Sequence, residues 1–149
     1  MMQRARITGT GMCVPKRLVT NDDLAKLMDT SDEWIRQRTG IGERHFIEPG
    51  QTPSDLAAQA SRRALEAAGR EPGEIDCIVL ATLSPEADFP GTSFFLQEEL
   101  DAGEIPCFDL RAQCSGFVYS VGVANAMVRS GQFRRVLVVG CEVHSTGLD

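Results

Sequence analysis

Histidine and paired cysteines are scarce in this sequence, which limits the kinds of metal site it can form. His45 and His144 are the only histidines among 149 residues. The five cysteines contain no C-x-x-C pair, so the pattern differs from that of zinc-binding modules. An odd number of cysteines without such pairs fits reduced thiols in a cytoplasmic protein. The sequence therefore predicts no metal site and a cytoplasmic location.

An excess of positive charge and a long apolar run are both missing. The 15 basic and 21 acidic residues give a net charge of −6, which argues against nucleic-acid binding by overall charge. The uncharged stretch Ala112–Val128 spans 17 residues and contains several polar side chains, so it is too short and too polar to cross a membrane. The N-terminus lacks a continuous apolar segment, with Arg4 and Arg6 within it. We therefore expect neither a nucleic acid nor a membrane as partner.

What is present is the composition and patterning of an α/β protein. The 42% of hydrophobic residues in 149 predict one globular domain with a core. Unbroken apolar runs are typical of buried parallel strands, and their alternation with helical periodicity predicts a largely parallel sheet with right-handed crossovers. The predicted strands are Ala5–Val14, Glu43–Ile47, Cys77–Leu83, Cys107–Leu110 and Arg135–Cys141. The predicted helices are Asn21–Met28, Asp29–Gly40 with a Thr30–Glu33 capping box, Thr52–Gly69, Thr92–Leu100 and Ala112–Val128.

Cys114 stands where a predicted strand turns into the uncharged helix. A helix that is apolar nearly all round is typical of a protein core, so we expect this helix to be buried. The first turn of a helix has unpaired N–H groups and a partial positive charge, which favour a thiolate and can hold an oxyanion. Cys114 is therefore a candidate nucleophile. The alternative is a buried, inert cysteine.

Trp34 and Arg38 are the second candidate site. They are four residues apart on a predicted helix and therefore share a face, whereas Arg36 points elsewhere. An adenine ring could stack on the indole and a phosphate could meet the guanidinium. The alternative is a half-buried tryptophan beside a solvated arginine. Phe89, in the loop that follows the strand Cys77–Leu83, either lines a pocket or plugs a crevice or subunit contact.

Three segments resemble one family of enzymes. They are Asp29-Thr-Ser-Asp-Glu-Trp-Ile-Arg-Gln-Arg-Thr-Gly-Ile-Gly-Glu-Arg-His45, Phe108-Asp-Leu-Arg-Ala-Gln-Cys-Ser-Gly-Phe117 and Val136-Leu-Val-Val-Gly140. Together they resemble β-ketoacyl-acyl-carrier-protein synthase III, a thiolase-like condensing enzyme. The resemblance implies that residues 1–149 form the N-terminal half of a duplicated αβαβα fold, with a mostly parallel sheet and a buried central helix, and that the C-terminal half is absent from this chain.

The resemblance also implies an activity. An acyl-CoA primer would acylate Cys114, and malonyl-acyl carrier protein would then condense with it by decarboxylative Claisen chemistry. No cofactor is implied, because the coenzyme A thioester is a substrate, and a homodimer is expected. By position, Thr30, Trp34 and Arg38 match residues that contact the nucleotide end of CoA. Phe89 matches a residue at the subunit interface that bounds the acyl pocket, which His144 also lines.

The sequence departs from the family pattern at three points. Gly42 stands where the family often has an arginine, which suggests weaker phosphate contacts at the tunnel mouth. His144 stands where a leucine is common, which suggests a bulkier or more polar primer. The family's His and Asn that stabilise the carbanion lie in the C-terminal half. We therefore expect this chain alone to be inactive in condensation. Two other functions stay open: a non-catalytic binding or assembly fragment, and a cysteine hydrolase of thioesters.

Overall fold

A three-stranded parallel sheet forms the centre of the larger of two structural units. The structure is a computed structural model and describes residues 4–147. The larger unit contains the described residues up to Cys13 together with Thr52–His144, and the smaller unit contains Val14–Gln51 and continues from Ser145. The elements are β1 (Arg17–Thr20), α1 (Asn21–Ala25), α2 (Asp32–Thr39), β2 (Glu43–Phe46), α3 (Pro53–Ala68), β3 (Cys77–Ala81), α4 (Thr92–Leu100), β4 (Cys107–Leu110), α5 (Gly116–Ser130) and β5 (Val136–Gly140).

The parallel sheet has the order β4-β3-β5, as expected from the unbroken apolar runs. Ile78 pairs with Cys107 on one side of β3, and Cys77 pairs with Val136 on the other side. All five residues of β3 are buried, because the strand lies between two others and carries helices on its faces. Both α4 and α5 pack against β3, and α3 packs against α4 and β5. The sheet thus has the layered α/β architecture that the sequence predicted.

Helix α3 begins and ends as its sequence predicts. The Thr52 side chain accepts a hydrogen bond from the N–H of Asp55, whose carboxylate in turn accepts one from the N–H of Thr52. Pro53 occupies the first helical position, where its missing N–H has no consequence for the helix. Gly69 ends the helix with a φ of 63°, a left-handed conformation that glycine adopts without strain. Local signals were sufficient here because every group involved is near in sequence.

The predicted strand Ala5–Val14 is wrong. No residue from 5 to 14 is in a strand, since none pairs with another strand of the described chain. This segment lies instead along α3. A side chain at Gly9 would overlap the carbonyl oxygen of Ala64, and one at Gly11 would overlap that of Ala60. The two glycines are therefore explained by close approach to a helix and not by a loosened strand.

Within residues 4–147, helix α5 is buried along one side only. Gly116, Ser120 and Ala124, each four residues apart, are its buried positions. Phe117 and Tyr119 are 52% and 58% exposed. One sheet face covers only one stripe of a helix, and within residues 4–147 no element covers the opposite side. The missing charge between Ala112 and Val128 therefore predicted an apolar helix correctly, and in this chain the sheet covers one side of that helix.

The smaller unit contains an antiparallel pair of strands and two short helices. Strand β1 pairs with β2, with Arg17 opposite Phe46, so the predicted strand Glu43–Ile47 is confirmed. The predicted caps are displaced by one residue: Thr20 caps α1 in place of Asn21, and Ser31 caps α2 in place of Thr30. The amide of Asn21 is buried and donates to Asp32 and to a backbone carbonyl. Gly40 ends α2 with a φ of 74°, as expected.

The predicted domain bounds and the expected lack of a helix after the last strand both concern the ends of the chain. The domain prediction covers residues 1–149, of which 1–3 and 148–149 lie outside the described part. After β5, residues 141–147 contain no helix, in agreement with the sequence. Of the helices described between residues 4 and 147, none combines the length and the apolar character that spanning a bilayer requires.

Candidate active site

Cys114 lies in a single 3-10 turn, Gln113–Ser115, that connects β4 to α5. The α-helix begins two residues after Cys114, so the thiol precedes the helix and does not belong to its first turn. Cys114 is exposed. Gln113 has a φ of 48°, a left-handed conformation that costs a non-glycine residue of order 1–3 kcal/mol and is concentrated at functional sites. The chain thus turns sharply one residue before the candidate nucleophile.

The first turn of α5 lies across the carboxyl ends of two strands. A Cβ on Gly116 would stand 2.9 Å from the Cβ of Ala81, the last residue of β3. A Cβ on Gly140, the last residue of β5, would stand 3.1 Å from the Phe117 ring. Both glycines permit this close approach. The thiol is therefore held at the carboxyl edge of the parallel sheet, where ligands bind in open α/β folds.

Three carboxylates organise the loops at this edge, and sequence reasoning missed all of them. Glu142 accepts hydrogen bonds from the Leu83 N–H and the Ser84 hydroxyl, each at 2.8 Å. Glu86 accepts from the Ser54 N–H at 3.2 Å and the Thr92 hydroxyl at 2.7 Å. Asp109 accepts from the N–H and hydroxyl of Ser93. All of these bonds except the one between Glu86 and Thr92, which spans six positions, join residues 16 or more positions apart, so local motifs do not reveal them.

The side chains of Phe89 and His144 are both exposed to solvent in the part of the chain that the structure describes. Phe89 is 91% exposed and precedes Pro90 through a cis peptide bond. The His144 side chain is 78% exposed, and its Nε2 lies 3.4 Å from Oε2 of Glu142. The structure therefore brings neither residue into an enclosed pocket. A cavity of about 410 Å³ lies elsewhere and contains none of the predicted site residues; it is lined by Phe94, Gln97, Glu98, Asp101 and Gly103.

Trp34 and Arg38 contact each other in the smaller unit. The guanidinium carbon lies 5.5 Å from the centroid of the indole ring, which is within the range of a cation–π contact. Trp34 is 55% exposed, so its ring is accessible. Arg36 turns away, because its Nε donates to both carboxylate oxygens of Asp32 at 2.9 and 2.8 Å. Trp34 and Arg38 thus form an exposed aromatic and basic patch, which we call the Trp34 patch.

Thr30 lies just before α2 and not within it. Its hydroxyl is buried and has no hydrogen-bond partner among residues 4–147. Its predicted contact with a nucleotide stays a prediction. Thr30 and the Trp34 patch belong to the smaller unit, whereas Cys114, Phe89 and His144 belong to the larger unit.

Three other cysteines are less exposed than Cys114. Burial raises the pKa of Cys77 to about 11, with the neighbouring Cys107 contributing. Burial, followed by the nearby Asp109, raises the pKa of Cys107 to about 11. Burial also raises the pKa of Cys141 to about 12, and its thiol donates to the Pro53 carbonyl at 3.2 Å. These thiols stay protonated at neutral pH, which makes them poor nucleophiles.

We expect alkylation by iodoacetamide at pH 8 to modify Cys114 well before Cys77, Cys107 and Cys141. At a pKa of about 11, roughly one thiol in a thousand is ionised at pH 8, and burial restricts access as well. Peptide mass spectrometry over time measures the order. In urea the difference should disappear, which separates a structural cause from intrinsic reactivity. Alkylation of Cys77 or Cys141 as fast as Cys114 in the folded protein would contradict this description.

Among residues 4–147, no group of three or more His, Cys, Asp and Glu side chains is placed to hold a metal ion.

Comparison with known proteins agrees with the resemblance. The family model for 3-oxoacyl-[acyl-carrier-protein] synthase III matches residues 108–149. A β-ketoacyl-[acyl-carrier-protein] synthase III of Thioalkalivibrio sulfidiphilus is 48% identical over 148 residues, which is 99% of this chain and 46% of that protein. One from Xanthomonas campestris pv. campestris (strain 8004) is 54% identical over 140 residues, covering 93% of this chain and 42% of the relative. The chain thus spans about half the length of the curated relatives it matches.

Solved structures show the same fold. The crystal structure of 3-oxoacyl-[acyl-carrier-protein] synthase III from Aquifex aeolicus VF5 superposes with a TM-score of 0.93 at 44% identity, covering 97% of this chain and 46% of that one. The priming β-ketosynthase of the R1128 polyketide biosynthetic pathway superposes with a TM-score of 0.90 at 40% identity, covering 95% and 43%. By sequence and by its thiolase-like fold, the chain belongs to the β-ketoacyl-[acyl-carrier-protein] synthase III family and corresponds to the N-terminal half of its members.

Proposed function

We propose that this chain carries the nucleophile of an acyltransferase that primes fatty-acid or related polyketide synthesis. The observation that carries the proposal is the placement of Cys114: exposed, after a left-handed residue, and immediately before a helix at the carboxyl edge of the sheet. The relatives named β-ketoacyl-[acyl-carrier-protein] synthase III support the same reaction class. The substrates would be an acyl-CoA and malonyl-acyl carrier protein.

The first half-reaction uses groups that this chain contains. The Cys114 thiolate attacks the thioester carbonyl of the acyl-CoA, and the carbonyl oxygen gains negative charge. The N–H groups at the start of α5 would stabilise that charge. The intermediate then collapses with cleavage of the carbon–sulfur bond to CoA. Coenzyme A leaves as a thiolate and takes up a proton, while the acyl group remains on Cys114 as a thioester.

The second half-reaction needs more than these residues. Malonyl-acyl carrier protein would lose CO₂, and the resulting carbanion would attack the acyl group and release the Cys114 thiolate. The resemblance assigns stabilisation of that carbanion to a His and an Asn of the C-terminal half. Of the two histidines here, His45 lies in β2, with its Nδ1 2.7 Å from the Pro15 carbonyl oxygen. We propose that these 149 residues form the acyl-enzyme but do not catalyse the condensation.

The proposal includes two further roles, nucleotide binding by the Trp34 patch and a contact of Phe89 with a partner subunit. The Trp34 patch would hold the nucleotide end of CoA, by stacking of the adenine on the indole and by contact of a phosphate with Arg38. Phe89 would reach the acyl pocket of a partner subunit in a homodimer, and its exposure of 91% is compatible with such a contact. The coenzyme A thioester is a substrate, and the reaction as written needs no other cofactor.

Mass spectrometry of the protein after incubation with acetyl-CoA and longer acyl-CoA primers tests the proposal. The peptide that contains Cys114 should gain the mass of the acyl group, with release of an equal amount of free CoA thiol. An unmodified Cys114 with every primer tried would overturn the assignment.

Trp34→Ala should weaken the use of acyl-CoA by about tenfold. Stacking of a base on an aromatic ring is worth ~1–3 kcal/mol, and the contact with Arg38 adds to it. Acylation of Cys114 by an acyl-pantetheine, which lacks the nucleotide, should be unchanged. Arg36→Ala is a matched control, because that side chain pairs with Asp32 and turns away from the Trp34 patch. Equal losses with acyl-CoA and acyl-pantetheine would indicate damage to the fold and not loss of nucleotide binding.

A further inference from the structure

The loop between β3 and α4 is closed at its base by a bond between two side chains. Oε2 of Glu86 accepts a hydrogen bond from the Thr92 hydroxyl at 2.7 Å. Glu86 lies three positions before Phe89, and Thr92 lies three positions after it. Phe89 therefore stands at the tip of a short loop whose two ends are joined. We call Glu86 and Thr92 the Glu86 clasp, and the acyl transfer described above uses neither residue.

The Glu86 clasp is itself fixed to the helices around it. Oε1 of Glu86 accepts a hydrogen bond from the Ser54 N–H at 3.2 Å. Ser54 lies in the first turn of α3, where the helix dipole favours a carboxylate. Thr92 is fully buried and is the first residue of α4. Because both oxygens of Glu86 have partners, its side chain has a defined orientation and joins the loop to the start of two helices.

The end of the loop that leads into α4 is fixed as well. The Asp109 carboxylate, on β4, accepts hydrogen bonds from the N–H of Ser93 at 3.2 Å and from the Ser93 hydroxyl. Gly91 occupies the position before α4, where many helices have a capping side chain. A Cβ on Gly91 would overlap the Asp109 carboxylate. This glycine therefore leaves room for a cap that a neighbouring strand supplies.

The tip of the loop contrasts with its base. The Phe89 ring is almost fully exposed, and the neighbouring Asp88 and Pro90 are exposed as well. Water does not favour an exposed aromatic ring, and a freely moving loop would let the ring turn back against the protein. A fixed base therefore keeps the ring available to another molecule. It also reduces the conformational entropy that the loop loses on binding.

We propose that Glu86 and Thr92 are positioning residues, which hold the loop so that Phe89 can contact a second copy of this chain. This inference rests on the proposed contact of Phe89 with a partner subunit. The Glu86 clasp offers no contact surface of its own, because Thr92 is buried and the Glu86 carboxylate is bonded to Thr92 and Ser54. Its effect on association therefore passes through Phe89 and should vanish when the phenyl ring is removed.

A double-mutant cycle on dimer formation tests this dependence. The dissociation constant of the dimer is measured by analytical ultracentrifugation over a range of protein concentrations. Phe89→Ala should raise the constant by about 30-fold, the effect expected of an aromatic anchor at an interface. Glu86→Ala should raise it by about tenfold, because the released loop must then be ordered on binding. In the Phe89→Ala background, Glu86→Ala should have no further effect.

Thr92→Val and Thr92→Ser form a matched pair that leaves the carboxylate in place. Valine has the shape of threonine but lacks the hydroxyl, so Thr92→Val should weaken the dimer. Thr92→Ser keeps the hydroxyl and should not weaken it. This pair supplies the same comparison if Glu86→Ala fails to fold, which circular dichroism would show. Glu66→Gln, a change of charge at an exposed residue of α3, should leave the dissociation constant as in wild type.

The outcomes separate this inference from the contact on which it rests. An equal loss from Glu86→Ala with and without the Phe89 ring would overturn the inference alone, and so would a dimer that Thr92→Val does not weaken. A wild-type protein that stays monomeric, or a dimer that Phe89→Ala leaves unchanged, would overturn the proposed contact of Phe89 and this inference with it. Acylation of Cys114 by acetyl-CoA tests the proposed acyl transfer separately.

Discussion

Cys114→Ala should abolish acylation of the protein by acyl-CoA. The substitution removes the only atom that we propose to attack the thioester, and loss of a nucleophile lowers the rate of its step by about 10³-fold or more. Cys114 is exposed, so removing its sulfur leaves no cavity and the fold should persist. The measurement is the mass of the intact protein after incubation with acetyl-CoA, together with a circular dichroism spectrum that matches wild type.

Cys13→Ser is the matched control for that experiment. Cys13 is only partly buried, and its thiol donates to the Gln59 side chain at 3.6 Å, a contact that a serine hydroxyl can also make. This variant should acylate at the wild-type rate. An acyl group that still attaches to Cys114→Ala would show that another residue is the nucleophile.

In wild type we expect the acyl-enzyme without ketoacyl product when malonyl-acyl carrier protein is added.

Leu80→Ala should destabilise the larger unit by about 2–5 kcal/mol, the usual cost of truncating a fully buried leucine. Leu80 is 0% exposed and lies in β3, the central strand of the sheet. The cavity would form on one face of the sheet, because strand side chains point out of the sheet plane. Against a total stability of about 5–15 kcal/mol for a typical domain, such a loss should be plain in urea denaturation followed by circular dichroism.

Ile7→Ala supplies the comparison for Leu80→Ala. Ile7 belongs to the same unit and is 76% exposed, so its truncation should change stability by no more than about 0.5 kcal/mol. A loss under about 1 kcal/mol for Leu80→Ala, or an equal loss for Ile7→Ala, would mean that the core is not centred on β3 as described.

The sequence predicted best those features whose causes are local. Thr52, Pro53 and Asp55 lie within four residues and specify the start of α3 whatever surrounds it. The apolar run that begins at Cys77 predicted a strand covered on both faces, and β3 is such a strand. The turn that carries Cys114 between β4 and α5 could likewise be predicted, because a strand and a helix signal meet there.

Predictions failed where a distant partner decides the outcome. Asn21 has the chemistry of a helix cap, but its amide bonds to Asp32 and Ile41 instead. Residues 5–14 have strand-like composition, but a strand also requires a neighbouring strand, and the described chain offers none beside them. Nothing in the sequence around Glu142 indicates its hydrogen bonds to Leu83 and Ser84, which form because β5 and β3 are adjacent.

The sequence by itself determined that this is an α/β chain of the β-ketoacyl-[acyl-carrier-protein] synthase III type, with Cys114 at a strand-to-helix turn. Hydrophobic periodicity, helix caps and short motifs each involve residues that are only a few positions apart, so they can be recognised in the sequence alone. Only the tertiary structure decided which side of α5 is buried, which thiols have raised pKa values, and that Ser84, Glu142 and His144 come together. Those properties depend on burial and on contacts between segments distant in sequence, such as Ser84 and Glu142, which are 58 residues apart, and a linear sequence does not display such contacts.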